Sequence, residues 1–120
     1  MFEIGFLHPD VFGKLGGHSA YFDPTNAPPA NNPLNLAQTV TFSMGQIPDI
    51  WLDVGNDDAD TRENMDVFAQ TLRSRNVNFA YLIYPTGEHD AAYWQSHLDE
   101  YMAFYGQGWS HDSTELPTCK

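Results

Sequence analysis

Cysteine is almost absent from this chain. Cys119 is the single cysteine among 120 residues, which excludes an intrachain disulfide and a zinc site built from several cysteines. The composition is compatible with a reducing compartment. The first residues also lack the basic, apolar and small-residue order of a signal peptide, so the visible sequence predicts no localisation.

Positive charge and long apolar runs are scarce as well. Five Lys and Arg residues stand against 16 Asp and Glu residues, which gives a formal charge of −11. Such a chain is repelled by phosphate backbones and by anionic lipid surfaces. The apolar runs fall far short of the roughly 20 residues that a membrane-spanning helix needs. We therefore expect no nucleic-acid partner and no membrane partner.

The chain does have enough apolar surface for one packed core. Apolar residues make up 42% of it and aromatic residues 14%, in a chain of common domain length. We expect one domain over residues 1–109. The last segment, "SHDSTELPTCK", predicts a polar tail over residues 110–120.

The first half of the sequence indicates a helix, a strand and a loop. The opening "MFEIGFL" is typical of a helix that ends before Pro9, and "FGKLGGHSAYF" is typical of a short strand. Four prolines and three asparagines predict a surface loop from Asp23 to Pro33. "LNLAQTV" then predicts a helical turn.

The second half predicts two more strands joined by a helix. Residues 50–54 form a buried-strand pattern, and "VNFAYLIYP" is rich in β-branched and aromatic residues. Between them a helix is expected, with Asp60 or Thr61 as its N-cap. Its apolar face consists of Met65, Phe68 and Leu72. "AAYWQSHLDEYMAFY" predicts a final helix. Strands joined by helices favour an α/β fold with a parallel sheet and helices on its faces.

Titratable side chains follow two of the predicted strands. Asp57 and Asp58 come just after Gly55, and His89 follows the next strand. Reactive groups gather beyond the carboxyl ends of parallel strands, so an Asp and a His could come within hydrogen-bond reach there. Such a pair suits nucleophilic acyl transfer, with the His as general base and the Asp fixing its tautomer. The alternative is a solvated acidic loop or helix cap beside an unrelated histidine.

The acidic cluster also raises the possibility of calcium binding. The candidate oxygen donors are Asp53, Asn56, Asp57, Asp58, Asp60 and Glu63. The EF-hand pattern fails, because a loop that starts at Asn56 has Thr61 where glycine belongs and Val67 where a bidentate Glu belongs. We therefore expect no metal site.

Ser19 is the candidate nucleophile within the chain. It precedes Asp58 and His89, which is the Ser, Asp, His order of α/β-hydrolases, and it follows a strand-like segment. Its surroundings do not fit, because Tyr21 stands two residues later, where a sharp strand-to-helix turn needs a small residue. We interpret Ser19 as a structural serine at a strand end.

Three blocks of the sequence resemble a known family: "HPDVFGKLGGHSAYF", "PDIWLDVGNDDADTRENMDVFAQTLRSRNVNFAYLIYPTGEHDAAYW" and "HLDEYMAFY". Together they are similar to the C-terminal part of serine esterases of the α/β-hydrolase fold, a group with esterase D-like, feruloyl-esterase-like and mycolyltransferase relatives. The resemblance covers residues 1–109. It implies the C-terminal part of an α/β-hydrolase sheet, with about three parallel strands and flanking helices.

The resemblance also implies roles for individual residues. The family's Gly-x-x-Asp pattern matches residues 55–58 and makes Asp58 the triad acid. Its Gly-His-Asp-x-x-x-Trp block matches His89, Asp90 and Trp94 and makes His89 the triad histidine. The departure is Glu88, which stands where a glycine is usual. No cofactor is implied, and the implied partner is a small-molecule ester.

The family's Gly-x-Ser-x-Gly nucleophile turn has no match in this chain. We expect it to lie before Met1, so that this chain is a C-terminal fragment with two of three triad members and little or no activity alone. An unpaired sheet edge then favours self-association. The alternative function is a non-catalytic binding or interaction domain whose aromatics stack on sugars, with Tyr93, Trp94 and Trp109 as candidates.

Overall fold

The computed structural model describes residues 1–43 and 45–108. Trp109 and the predicted tail over residues 110–120, which contains Cys119, lie outside the described residues. The elements in chain order are α1 (Phe2–Leu7), β1 (Lys14–His18), α2 (Pro33–Thr39), β2 (Asp49–Gly55), α3 (Ala59–Ser74), β3 (Ala80–Tyr84), α4 (Ala91–Ser96) and α5 (Leu98–Gly106).

The three strands form one parallel sheet in the order β1-β2-β3. His18 pairs in register with Asp53, and Gly55 pairs with Tyr84, so the carboxyl ends of the strands meet at one edge. The predicted α/β fold class is therefore confirmed. No helix in the described residues is both long and apolar enough to cross a membrane.

The central strand β2 divides the core into two sides. All of its residues except Asp49 are buried, as expected for a parallel strand covered on both faces. Alternate residues of a strand face opposite sides. Ile50, Leu52 and Val54 belong to the main apolar core, and Trp51 and Asp53 contact aromatic rings of α4 and α5.

Phenylalanine rings fill the main core between the sheet and helices α1 and α3. The ring of Phe2 meets those of Phe6, Phe22 and Phe68 edge to face, with centroids 5.3–5.7 Å apart. Edge-to-face packing is a favourable arrangement of aromatic quadrupoles. The predicted apolar face of α3 is buried here completely, so helical spacing located the core side of that helix correctly.

Three element boundaries differ from the sequence predictions. The N-cap of α3 is Asp58 instead of Asp60 or Thr61. Pro33 opens α2 at the first helical position and does not close the loop, because Asn32 caps the helix there. The predicted last helix divides at His97, whose ring stacks on Tyr84 with centroids 3.8 Å apart.

Candidate active site

Two loops meet at the carboxyl edge of the sheet, one after β2 and one after β3. The backbone N–H of Asn56 donates to the carbonyl of Tyr84 (2.9 Å), and the N–H of Asp57 donates to the carbonyl of Gly87 (3.1 Å). In return the N–H of Gly87 donates to the Asp57 carboxylate (3.0 Å). These bonds fix the loop that carries His89 against the loop that carries Asp58.

Two glycines allow this close approach. A Cβ atom on Gly55 would lie 2.2 Å from the carbonyl oxygen of Gly87. Gly87 itself has φ +131, and its Cβ would lie 2.3 Å from the ring of Tyr93. Side chains at either position would push the loops apart, since real Cβ contacts are never this short.

Asp58 and His89 are joined by a hydrogen bond at this edge. His89 Nδ1 lies 3.0 Å from Asp58 Oδ2, and Thr61 Oγ1 lies 3.1 Å from the same nitrogen. The Asp58 side chain is only 4% exposed, whereas that of His89 is 51% exposed. The pair thus has a buried acid and an accessible imidazole.

Asp58 is held in its charged form. Burial is the largest single influence on its pKa and raises it, but hydrogen bonds from Thr61 and His89 outweigh burial, and the net pKa is lowered from 3.8. The backbone N–H of Thr61 donates to Asp58 Oδ1 (3.3 Å). The same carboxylate therefore caps α3 and accepts from the histidine.

His89 is oriented with one nitrogen toward the acid. Its hydrogen bonds within the described part of the chain all use Nδ1, so Nε2 has no hydrogen-bond partner there, and the side chain as a whole is half exposed. Trp94 contacts the ring edge to face, with centroids 5.2 Å apart. An imidazole held by a carboxylate at Nδ1 can accept a proton at Nε2 and then return it.

Ser19 lies close to the acid, and its Oγ makes no hydrogen bond to His89 within the described residues. It is buried, with φ 50, and its hydroxyl helps to lower the pKa of Asp58. Its Oγ makes no hydrogen bond of good geometry with any described residue. Ser19 therefore lies directly after β1, and its interpretation as a structural serine stays a prediction.

The acidic residues within and after β2 do not converge on one point. Asp53 accepts from buried tyrosines, Asp57 accepts from Gly87 and Asp58 accepts from Thr61 and His89. Across residues 1–43 and 45–108, no group of three potential ligands is arranged for a metal ion. Glu88 is exposed to solvent.

Comparison with known proteins identifies the family. The sequence model of a family described as "Putative esterase" matches residues 4–105. The chain belongs to this esterase family. The match spans both loops of the site, so Asp58 and His89 lie within the part of the chain that the esterase family shares. No curated protein matches this esterase-family chain.

Solved structures show the same fold. A ferulic acid esterase has a TM-score of 0.65 at 21% identity, over 82% of this chain and 43% of its own. A protein titled "Putative Dienelactone Hydrolase" from Klebsiella pneumoniae subsp. pneumoniae MGH 78578 has a TM-score of 0.59 at 14% identity, over 88% of this chain and 48% of its own. The esterase-family chain thus has an α/β-hydrolase-type fold and spans less than half the length of either structure.

Sequence reasoning missed two parts of this region. The sequence predicts Thr61 only as a helix cap, although an Asp and a Thr three residues apart can both contact one histidine. It indicates Asp53 only as a calcium donor, and it predicts no role for His18. Their pairing in register on adjacent strands is a signal that requires knowing which strands are neighbours.

Proposed function

We propose that this chain carries the acid and the histidine of a serine esterase, a carboxylic-ester hydrolase that acts through an acyl-serine intermediate. The observation that carries the proposal is the Asp58–His89 hydrogen bond at the carboxyl edge of the sheet, in a chain of the esterase family. Parallel sheets of this kind gather reactive groups at that edge.

In the proposed reaction Asp58 stays ionised and His89 moves the proton. His89 Nε2 takes the proton of a serine hydroxyl as the serine oxygen attacks the ester carbonyl, and it then gives this proton to the leaving alcohol. Water, activated by the same nitrogen, hydrolyses the acyl-serine and releases the acid. The Asp58 carboxylate holds Nδ1–H and stabilises the imidazolium at each stage. These steps use no cofactor.

The serine is proposed to come from residues outside this chain, in a Gly-x-Ser-x-Gly turn. Two observations support this: the chain spans less than half of the similar structures, and Ser19 Oγ makes no hydrogen bond to His89 within the described residues. The 120 residues alone are then a fragment with little or no activity, and a small-molecule ester is the substrate of the longer protein.

The reading frame through Met1 tests this directly. We expect it to continue upstream and to encode Gly-x-Ser-x-Gly ahead of a helical segment. A stop codon and a ribosome-binding site directly before Met1 would instead favour the small binding domain.

The binding-domain alternative has less support from the aromatics that suggested it. Tyr93 is buried, with its hydroxyl bonded to Asp53. Trp94 is partly buried and turned edge-on to His89. Trp109 lies outside the described residues. Flat, exposed rings are what sugar stacking needs, and Tyr93 does not offer one.

Self-association is proposed for the chain in isolation. The outer edge of β1 has no neighbouring strand within the described residues, and apolar side chains of α1 and of the segment that leads into β1 are exposed, among them Ile4, Leu7, Val11 and Phe12. An open strand edge next to apolar surface is a template for pairing.

A further inference from the structure

A second polar cluster lies inside the fold, beneath the proposed site. Asp53, in the middle of β2, is fully buried. One of its oxygens accepts from the hydroxyls of Tyr93 (2.6 Å) and Tyr101 (2.9 Å), and the other lies 2.5 Å from Nδ1 of His18. The other ring nitrogen of His18, Nε2, lies 3.0 Å from the hydroxyl of Tyr105.

Core stability alone does not account for this carboxylate. Burying a charge is costly, and well-packed apolar residues in its place are often as stable or more stable. Burial, followed by the hydrogen bond and charge of Asp53, raises the pKa of both Tyr93 and Tyr101. Both hydroxyls therefore stay protonated and donate to Asp53 throughout the neutral range. Asp53 therefore fixes the orientation of the side chains that form hydrogen bonds with it.

Tyr93 is the part of the cluster that reaches the site. It is the single buried residue of α4, a helix too short to be stable by itself. Its ring also covers Gly87, and its N–H donates to Asp90 (2.9 Å), the N-cap that directly follows His89. The position of α4, and with it the end of the His89 loop, therefore depends on where Tyr93 is held.

Asp53 holds Tyr93 to the strand that leads into Asp58. Asp53 precedes Asp58 by five residues on the same chain segment, and Tyr93 follows His89 by four. The bond between Asp53 and Tyr93 therefore links the element before the acid to the element after the histidine. The same two chain segments are thus linked twice, by the Asp58–His89 hydrogen bond and by the Asp53–Tyr93 hydrogen bond.

We propose that Asp53 and Tyr93 are positioning residues that hold His89 Nδ1 toward Asp58. This rests on the proposed function of the Asp58–His89 pair. Tyr101 and His18 complete the hydrogen bonding of Asp53 but lie on other elements, α5 and β1. They support the carboxylate without reaching the histidine loop.

Two tyrosine variants test the proposal, made in the protein that includes the upstream segment, because the isolated 120 residues are expected to associate. Tyr93→Phe and Tyr101→Phe each remove one hydroxyl from the same Asp53 oxygen and keep the ring, but only Tyr93 belongs to the helix after His89. The readout is the His89 Nδ1–H proton in the NMR spectrum at low temperature and its rate of exchange with water. In Tyr93→Phe we expect exchange to be about fivefold faster or the signal to be lost, since hydrogen bonds to buried charged groups are among the stronger ones.

Tyr101→Phe is expected to leave that exchange rate unchanged although it lowers thermal stability by a similar amount. Equal acceleration in both variants, no change in either, or a Tyr93→Phe chain that fails to fold would overturn the proposal, because each indicates only a general contribution to stability. The resonance is recorded without substrate. An absence of ester hydrolysis would therefore count against the proposed function and leave this result interpretable.

Discussion

Among single residues, Asp58 has two separable roles, as the helix N-cap of α3 and as the hydrogen-bond acceptor of His89. Asn is as good an N-cap as Asp, but it lacks the charge that stabilises an imidazolium. The substitution Asp58→Asn therefore separates the two roles.

In the protein that includes the serine, Asp58→Asn is expected to lower kcat by about 10⁴-fold, because a neutral amide no longer fixes the histidine tautomer. The free energy of unfolding should fall by about 1 kcal/mol or less. The matched control is Asp60→Asn, at an exposed position in the same helical turn. Ester hydrolysis and urea denaturation measure the two effects, and comparable loss of kcat in both variants would contradict the assignment.

The lowered pKa of Asp58 also predicts that the folded protein loses stability in acid. A carboxyl whose pKa is lower in the folded state adds stability above its unfolded pKa, and this is lost as pH falls through the folded value. For Asp58 that loss lies below about pH 4. The difference in unfolding free energy between wild type and Asp58→Asn should shrink as pH falls from 6 to 3. A difference that stays constant over this range would show that the charge of Asp58 does not contribute.

At the scale of helices, strands and loops, the site depends on the close packing of the loop after β2 against the loop after β3. Gly87 combines φ +131 with a ring directly over its Cβ position. Gly87→Ala is expected to cost about 3 kcal/mol in unfolding free energy, from backbone strain and overpacking. Gly106→Ala is the control, since an added Cβ there meets nothing within 4 Å. Urea denaturation measures both, and a similar small effect at the two positions would contradict the close approach.

The sequence predicted most elements, because apolar periodicity is local. It could not predict the break at His97, since Tyr93, His97 and Tyr101 keep a spacing of four across it. The break coincides with stacking of His97 on Tyr84, a residue of β3. In the same way, strand-end positions predicted that Asp58 and His89 could meet, but the contacts of Thr61 and of Asp53 depend on which chain segments become neighbours.

For the whole molecule, the open edge of β1 predicts association. The purified 120 residues should form oligomers or aggregates, as seen by light scattering after size exclusion, because exposed apolar residues flank an unpaired strand. Lys substitution of exposed Val11 and Phe12 should reduce the association, and Val67→Lys, on the exposed surface of α3, is the control. A monomer with a sharp cooperative melt would contradict this prediction.

The central claim is that Asp58 and His89 act on a serine that this chain does not contain. Pre-steady-state release of p-nitrophenol from p-nitrophenyl acetate tests it most directly, in the 120 residues alone and in the protein that includes the upstream Gly-x-Ser-x-Gly segment. We expect a burst of one equivalent only in the longer protein, abolished by His89→Gln and unaffected by His8→Gln at an exposed position. A burst from the 120 residues alone that Ser19→Ala abolishes would contradict the account.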